Sequence, residues 1–406
     1  MTGHARGVLA LMGWVVGCAP VAAAPPSVRP GIEVLLADSA HLVRGRRVGL
    51  VTNHTGVDRA GVGDVERLRA AGVQLVALYS PEHGFRGAAA PGELVASVTD
   101  SATGLPIYSL YGRTRTPTSE MLAGVDLLLV DLMDVGARYF TYLSTTIEVL
   151  RAAAAAQVPV VVLDRPNPLG AAVQGNVLDS AFRSFVGPLA MPMRHGLTLG
   201  ELAGLARHEL GLATVSLSVV PAAGWRRSQR FEQTGLPWVP PSPNLTSLEA
   251  LFHYPGTCLF EGTNLSVGRG TDAAFRQLGA PWLDPARVLA RLGAEPGVTL
   301  AAVRFTPRRP GDGKYADTAL AGIELRLTDP DRYDATATAV RLLAAIRAVH
   351  ADRFAWIAPH FDRLAGTGSL RRDLDRGLDP DAITAGWAAD RGTWMARRAP
   401  YLLYPD

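Results

Sequence analysis

Lysine occurs once in 406 residues, at Lys314, and cysteine only twice, at Cys18 and Cys258. Arginine supplies the rest of the 40 basic residues, a pattern that reads as codon bias in a GC-rich genome. Two cysteines exclude a disulfide scaffold. If Cys18 is removed or acylated, one thiol is left, and Cys258 has no activating neighbour in sequence. It reads as a small buried residue. Charge of one sign is also lacking. Forty basic residues stand against 37 acidic ones, for a net charge of +3 with no like-charged block. Nucleic-acid binding is therefore not expected, because it needs a clustered basic face. No GxSxG elbow is present, which argues against a serine hydrolase of that type. No GxGxxG follows the first strand, which argues against a dinucleotide enzyme. Neither HExxH nor a CxxC pair is present.

Hydrophobic residues make up 48% and charged residues 19%. At this length the chain holds a large core and two or three domains. The first residues read as a leader. Arg6 precedes an apolar stretch, Val8 to Val16, followed by the small and proline-rich CAPVAAAPP. The apolar stretch is too short for a spanning helix, and no other segment is long and apolar enough to span a bilayer. Val15-Val16-Gly17-Cys18 resembles a lipobox that would leave a lipidated Cys18 as the membrane attachment. Ordinary cleavage in the Val21–Ala24 run, giving a periplasmic protein, is the other reading.

From residue 47 to 168 apolar runs alternate with helical patterns. RVGLVTN, VQLVALYS, VDLLLVDL and VPVVVLD read as strands, over 47–53, 73–80, 125–132 and 158–164. Continuous Val/Leu runs suit a sheet covered on both faces. Helices are expected near 63–71, over TPTSEMLAG, and over 141–157. Strands alternating with helices predict a parallel, Rossmann-like sheet. A Thr198–Glu201 capping box opens a further helix, and 215–221 reads as a fifth strand. Residues 237–271 read as long ordered loops. Beyond about 283 helix and strand segments follow, with an amphipathic helix over 335–350 and a helical tail. The expected division is a leader at 1–27, a Rossmann-like α/β domain at 28–285 and a smaller α+β domain at 286–406.

Each of the four strands ends in polar residues. These are Asn53 and His54; Glu82 and His83; Asp131, Asp134 and Arg138; and Asp164, Arg165 and Asn167. In open α/β sheets ligands bind beyond the carboxyl ends of the strands, so four such clusters converge. Arg194 and His195 precede the capping-box helix, and Glu261, Asn264 and Arg269 lie among glycines in the long loops. Carboxylates with His, Asn and Arg suit acid–base catalysis on a sugar. An Arg suits an anionic substituent. A metal site built from His54, His83, Asp131 and Asp134 is the rival chemistry, as in a metal-dependent esterase or amidase. A non-catalytic glycan-binding lipoprotein is the other alternative.

VGLVTNHTGVD, YSPEHGFRG, TGLPIYSLYG, VDLMDVGARYFTYLST and VVLDRPNPLG resemble the NamZ-type exo-β-N-acetylmuramidases. PMRHGLTLGELA, PWVPPSPNLTS, YPGTCLFEGTNLSVGRGT and GAPW extend the resemblance, in order, over most of 31–282. It implies exo-hydrolysis of terminal N-acetylmuramic acid from peptidoglycan-derived muropeptides or disaccharides. It implies a cleft beside the N-terminal domain and no cofactor. The family's SPEHG glutamate falls on Glu82, expected as general acid or acid/base, with Glu261 as second carboxylate. Asn53, His54, His83, Arg86, Asp134, Arg138, Asp164, Arg165, Asn167, Arg194, His195, Asn264 and Arg269 are expected to bind substrate or support the site. Gln174-Gly175-Asn176 departs from the Gly-Pro expected of the family, a change expected in a loop at the cleft edge.

Overall fold

A computed structural model describes residues 1–4 and 28–406. Residues 5–27 of the leader, with Cys18, lie outside the described residues. Among those described, seven strands form one sheet, three a second and two a third. The first contains β1 (Arg47–Thr52), β2 (Gln74–Ser80), the two-residue β3 (Val98–Thr99), β4 (Pro106–Ser109), β5 (Leu127–Asp131) and β6 (Val160–Leu163). β7 (Gln174–Val177) and β8 (Pro192–Arg194) pair separately, and β9 (Leu217–Val220) completes the first sheet. Its order is β3-β4-β2-β1-β5-β6-β9, parallel throughout except for β3. Without β3, the parallel strands numbered along the chain lie 3-2-1-4-5-6, the order of a Rossmann sheet, whose direction reverses between β1 and β5.

The apolar runs bury both faces. On β5, Leu127 and Leu129 join one core cluster and Leu128 and Val130 the other. This is the two-residue period of a strand covered above and below. α1 (Gly31–Asp38) and α2 (Asp64–Ala70) cover the first face through Ile32, Leu35 and Leu68. α3 (Tyr142–Ala156) and α4 (Leu199–Glu209) cover the second through Leu143, Ile147, Leu202 and Leu205. The capping box at Thr198 and Glu201 forms as read.

α5 (Leu248–Thr257) and a 3-10 turn at Cys258–Gly262 occupy the stretch expected as loops. Ser247 caps this helix by accepting from the Ala250 amide at 3.2 Å, and Pro255 and Gly256, breakers in sequence terms, stand in its last turn. TPTSEMLAG, expected as a helix, forms turns instead. The second sheet is antiparallel, ordered β10-β12-β11: β10 (Gln277–Ala280), β11 (Val298–Phe305) and β12 (Leu320–Leu327). β10 precedes residue 285, so this sheet draws a strand from before the expected domain boundary. α6 (Pro285–Leu292) packs on it, α7 (Ala335–Val349) packs against α5 and α6, and α8 (Ala358–Ala365) to α11 (Ala388–Arg398) complete the tail. One core cluster runs unbroken from β5 through α5 and α7 to Trp394. The tail returns to the first domain, where the Trp394 indole donates to the His195 carbonyl at 3.0 Å and the Tyr404 hydroxyl to Asp164 at 2.7 Å.

Candidate active site

The carboxyl ends of β2, β1 and β5 meet where the Rossmann order reverses. After β2, Ser80-Pro81-Glu82-His83-Gly84 turns tightly, with His83 left-handed at φ 69°. The turn buries Glu82. Its Oε1 accepts from the Gly92 amide at 2.8 Å and its Oε2 from the Thr141 hydroxyl at 2.7 Å. No cation neutralises it at ion-pair distance among the described residues. Tyr111, from the loop after β4, faces it. Burial, with the negative charge of Glu82, pushes the Tyr111 phenol up to about 12. Arg115 lies with its guanidinium 5.2 Å from the Tyr111 ring and 4.3 Å from Phe185. Arg115 is exposed and has no carboxylate at ion-pair distance among the described residues.

After β1, Asn53 donates to the Tyr142 hydroxyl at 2.6 Å, and its Oδ1 holds the Thr55 amide and hydroxyl. Tyr142 passes the chain to the Pro241 carbonyl at 3.0 Å. His54 Nε2 lies 2.8 Å from the Pro240 carbonyl, so that nitrogen carries the proton. The two residues together fasten the 237–247 segment over the strand ends. Gly87 makes room for this. It is left-handed at φ 71°, and a Cβ there would lie 2.0 Å from the His54 ring.

Glu261 comes from the 3-10 turn after α5. Arg269 Nε donates to it at 2.5 Å, and the buried Arg269 Nη1 has no partner. Burial and then Glu82, Arg269 and His54 act on His83, with burial lowering its imidazole below the ordinary range. Glu82, His54, His83 and the Glu261–Arg269 pair therefore share one electrostatic neighbourhood. Asp134 extends it. It accepts from the Gly136 amide at 2.8 Å and lies 3.4 Å from His195 Nε2. Cys258 is buried as read, with its thiol pushed up by burial. It does have a neighbour, donating to Glu261 at 3.7 Å.

The other expected residues are committed elsewhere. Arg138 is fully buried and donates at 2.9 Å to the carbonyls of Asn176, Met191, Leu364 and Ala365, with burial lowering its pKa to about 10. Asp164 caps α4, accepting from Thr198, Gly200 and Tyr404, and burial raises it to about 6. Arg165 pairs with Asp131 and lies 3.7 Å from Asp64. Asn167 holds the Leu197 carbonyl and the Leu169 amide. Arg194 donates to the Leu169 carbonyl. Asn264 pins residues 353–355. Arg86 is exposed, 3.6 Å from Asp100. Gln174-Gly175-Asn176 lies in β7, not in a loop, with Gln174 on the Tyr333 carbonyl and Asn176 on that of Ala365. The proposed metal set does not assemble. Asp131 is taken by Arg165 and His83 Nδ1 by the Ala89 carbonyl, and no group of three ligating side chains occurs among the described residues. Thr141, Tyr142, Tyr111 and Arg115 escaped sequence reasoning. Thr141 and Tyr142 sat in a string read as a helix start, and Arg115 in an unpatterned turn.

Two family models match the chain: the N-terminal domain of exo-beta-N-acetylmuramidase NamZ at residues 48–249 and its C-terminal domain at 252–404. A peptidoglycan beta-N-acetylmuramidase NamZ from Bacillus subtilis (strain 168) is 39% identical over 384 residues, covering 93% of this chain and 92% of its own. Two solved DUF1343 family proteins from Bacteroides fragilis NCTC 9343 are also similar. They have TM-scores of 0.86 and 0.77 at 34% and 32% identity, each covering 93% of this chain and 99% of its own.

Proposed function

Because the chain belongs to the NamZ family of exo-β-N-acetylmuramidases, we propose that it is a glycoside hydrolase that removes terminal β-linked N-acetylmuramic acid from the non-reducing end of peptidoglycan fragments. The observation that carries this reading is Glu82. It is a buried carboxylate at the reversal point of the sheet, held by two neutral donors and followed by His83, whose imidazole feels the charges of both Glu82 and Arg269.

In this reading Glu82 is the acid/base. Its proton passes to the glycosidic oxygen as the bond from the anomeric carbon to that oxygen breaks. Glu261 acts on the cationic anomeric carbon, directly or by taking a proton from the attacking water. Thr141 and the Gly92 amide fix the Glu82 carboxyl, so its rotation is not lost during reaction. Arg115, beside Tyr111 and without a carboxylate partner among the described residues, is the arginine that best suits the lactyl carboxylate distinguishing muramic acid from glucosamine. The leader pattern supports an exported enzyme in the periplasm or lipid-anchored at the cell envelope, where wall fragments are turned over.

The reading is tested with two disaccharides, one with N-acetylmuramic acid and one with N-acetylglucosamine at the non-reducing end. Free N-acetylmuramic acid from the first alone, unaffected by chelator, is expected. Release from the second, or loss of turnover with chelator, would contradict it.

A further inference from the structure

Lys314 is the one lysine of the chain, and it does not sit on the surface where a codon-driven replacement by arginine is neutral. Its Nζ faces four backbone carbonyls, those of Thr263 at 2.6 Å, Glu261 and Leu265 at 3.0 Å, and Phe260 at 3.4 Å. Two of these carbonyls, Phe260 and Glu261, lie in the 3-10 turn that carries Glu261, and two, Thr263 and Leu265, just beyond it. The neighbouring carbonyls have other donors: Gly262 the Ile357 amide, and Asn264 the Tyr315 hydroxyl at 2.7 Å. Phe260 already accepts from the Thr263 amide and hydroxyl, so the three ammonium protons fall to the carbonyls of Glu261, Thr263 and Leu265, and with Tyr315 they serve a row of acceptors at a helix end, where a cation is favoured.

Both residues belong to the β11–β12 connection, which lies across the site loops. The Arg308 amide donates to the Gly270 carbonyl at 2.8 Å, next to Arg269. Asp312 holds the Lys314 amide at 3.2 Å. The fold also contains the contrasting solution. The planar guanidinium of Arg138 reaches four carbonyls as two pairs, one pair on each terminal nitrogen. Around Lys314 all four converge on a single point, which suits a compact ammonium and not a fork.

We propose that Lys314 is a positioning residue of the active site, a tethered ammonium that sets the Glu261 turn and with it the Glu261–Arg269 pair. The inference rests on the reading of Glu261 as the second carboxylate. It gives a reason, other than codon usage, for a lysine at this position among so many arginines.

The test compares Lys314→Met and Lys314→Arg with Glu261→Gln and the Lys314→Met/Glu261→Gln double variant on a chromogenic β-N-acetylmuramide. Misplacing the turn is expected to lower kcat about 10- to 100-fold, with KM held within about twofold and no further loss in the double variant. A folded Lys314→Met at wild-type kcat, or losses that simply multiply, would overturn the inference. Full activity in Glu261→Gln would instead remove the carboxylate reading on which it rests. If Lys314→Met does not fold, the wild-type protein labelled with 15N at lysine Nζ gives a single side-chain resonance. A slowly exchanging signal that shifts when N-acetylmuramic acid is added is expected. A fast-exchanging, unmoved signal overturns the proposal.

Discussion

At the scale of single residues, the site is a set of short polar chains with few spare donors. Glu82 has both oxygens engaged by neutral groups, so Glu82→Gln preserves the shape and removes the transferable proton. It is expected to lower kcat by about 10²–10⁴-fold with an unchanged circular dichroism spectrum. Arg115→Ala is expected to raise KM for the muramide about tenfold or more while leaving any slow turnover of the glucosaminide unmoved. An equal effect on both substrates would dissociate Arg115 from the lactyl carboxylate. Glu82 was legible in the sequence because a histidine and a glycine follow it at a strand end. Arg115 was not, because its role depends on two aromatic rings, Tyr111 four positions before it and Phe185 seventy positions after it, that only the fold brings together. Arg138, Asp164 and Arg165 looked like site residues for the same reason as Glu82. Burial turned them into frame instead, since a buried charge must be met by dipoles or by an opposite charge.

At the scale of elements, the N-terminus of α4 joins three features in one place: the Thr198–Glu201 capping box, Asp164 at the end of β6, and Tyr404 from the tail. Thr198→Ala is expected to cost about 1–2 kcal/mol, read from the denaturant midpoint. Asp164 adds a dependence on pH. Burial raises its pKa to about 6 in the native state, against about 3.9 when unfolded. The native state therefore binds more protons between these values. Stability owed to Asp164 is present below about pH 4 and declines towards about pH 6, by on the order of 2–3 kcal/mol. Denaturant midpoints at pH 4 and 7 should show a larger decline in the wild type than in Asp164→Asn, where only other buried carboxyls raised by burial, such as Asp64, still contribute; an identical decline in both would contradict it. The parallel strands were readable because continuous Val/Leu runs have few other homes. α5 was not, because Pro255 and Gly256 stand near its end, where its own turns tolerate them and Gly256 packs against the Ala335 backbone.

At the scale of the whole molecule, the division into two parts is a matter of sheets and not of cores. The Arg138 guanidinium bonds the carbonyls of α8, β10 joins the second sheet, and one apolar cluster spans both parts. Unfolding by denaturant is therefore expected to be a single transition, coincident by tryptophan fluorescence and far-ultraviolet circular dichroism. Two separated transitions would show that the parts fold alone. The boundary near 285 was drawn from a change in sequence character, and composition does not reveal a core shared across such a change. The same closeness puts the Glu261 turn, from before that boundary, under the strap carrying Lys314 from after it.

In the proposed reaction, Glu82 at the sheet's reversal point drives removal of muramic acid. The most direct test of this is hydrolysis of a chromogenic β-N-acetylmuramide beside the matching β-N-acetylglucosaminide, by the wild type and by Glu82→Gln. Turnover of the muramide alone, lost in the variant, is the predicted result. Equal turnover of both sugars, or a folded Glu82→Gln as active as the wild type, would contradict it.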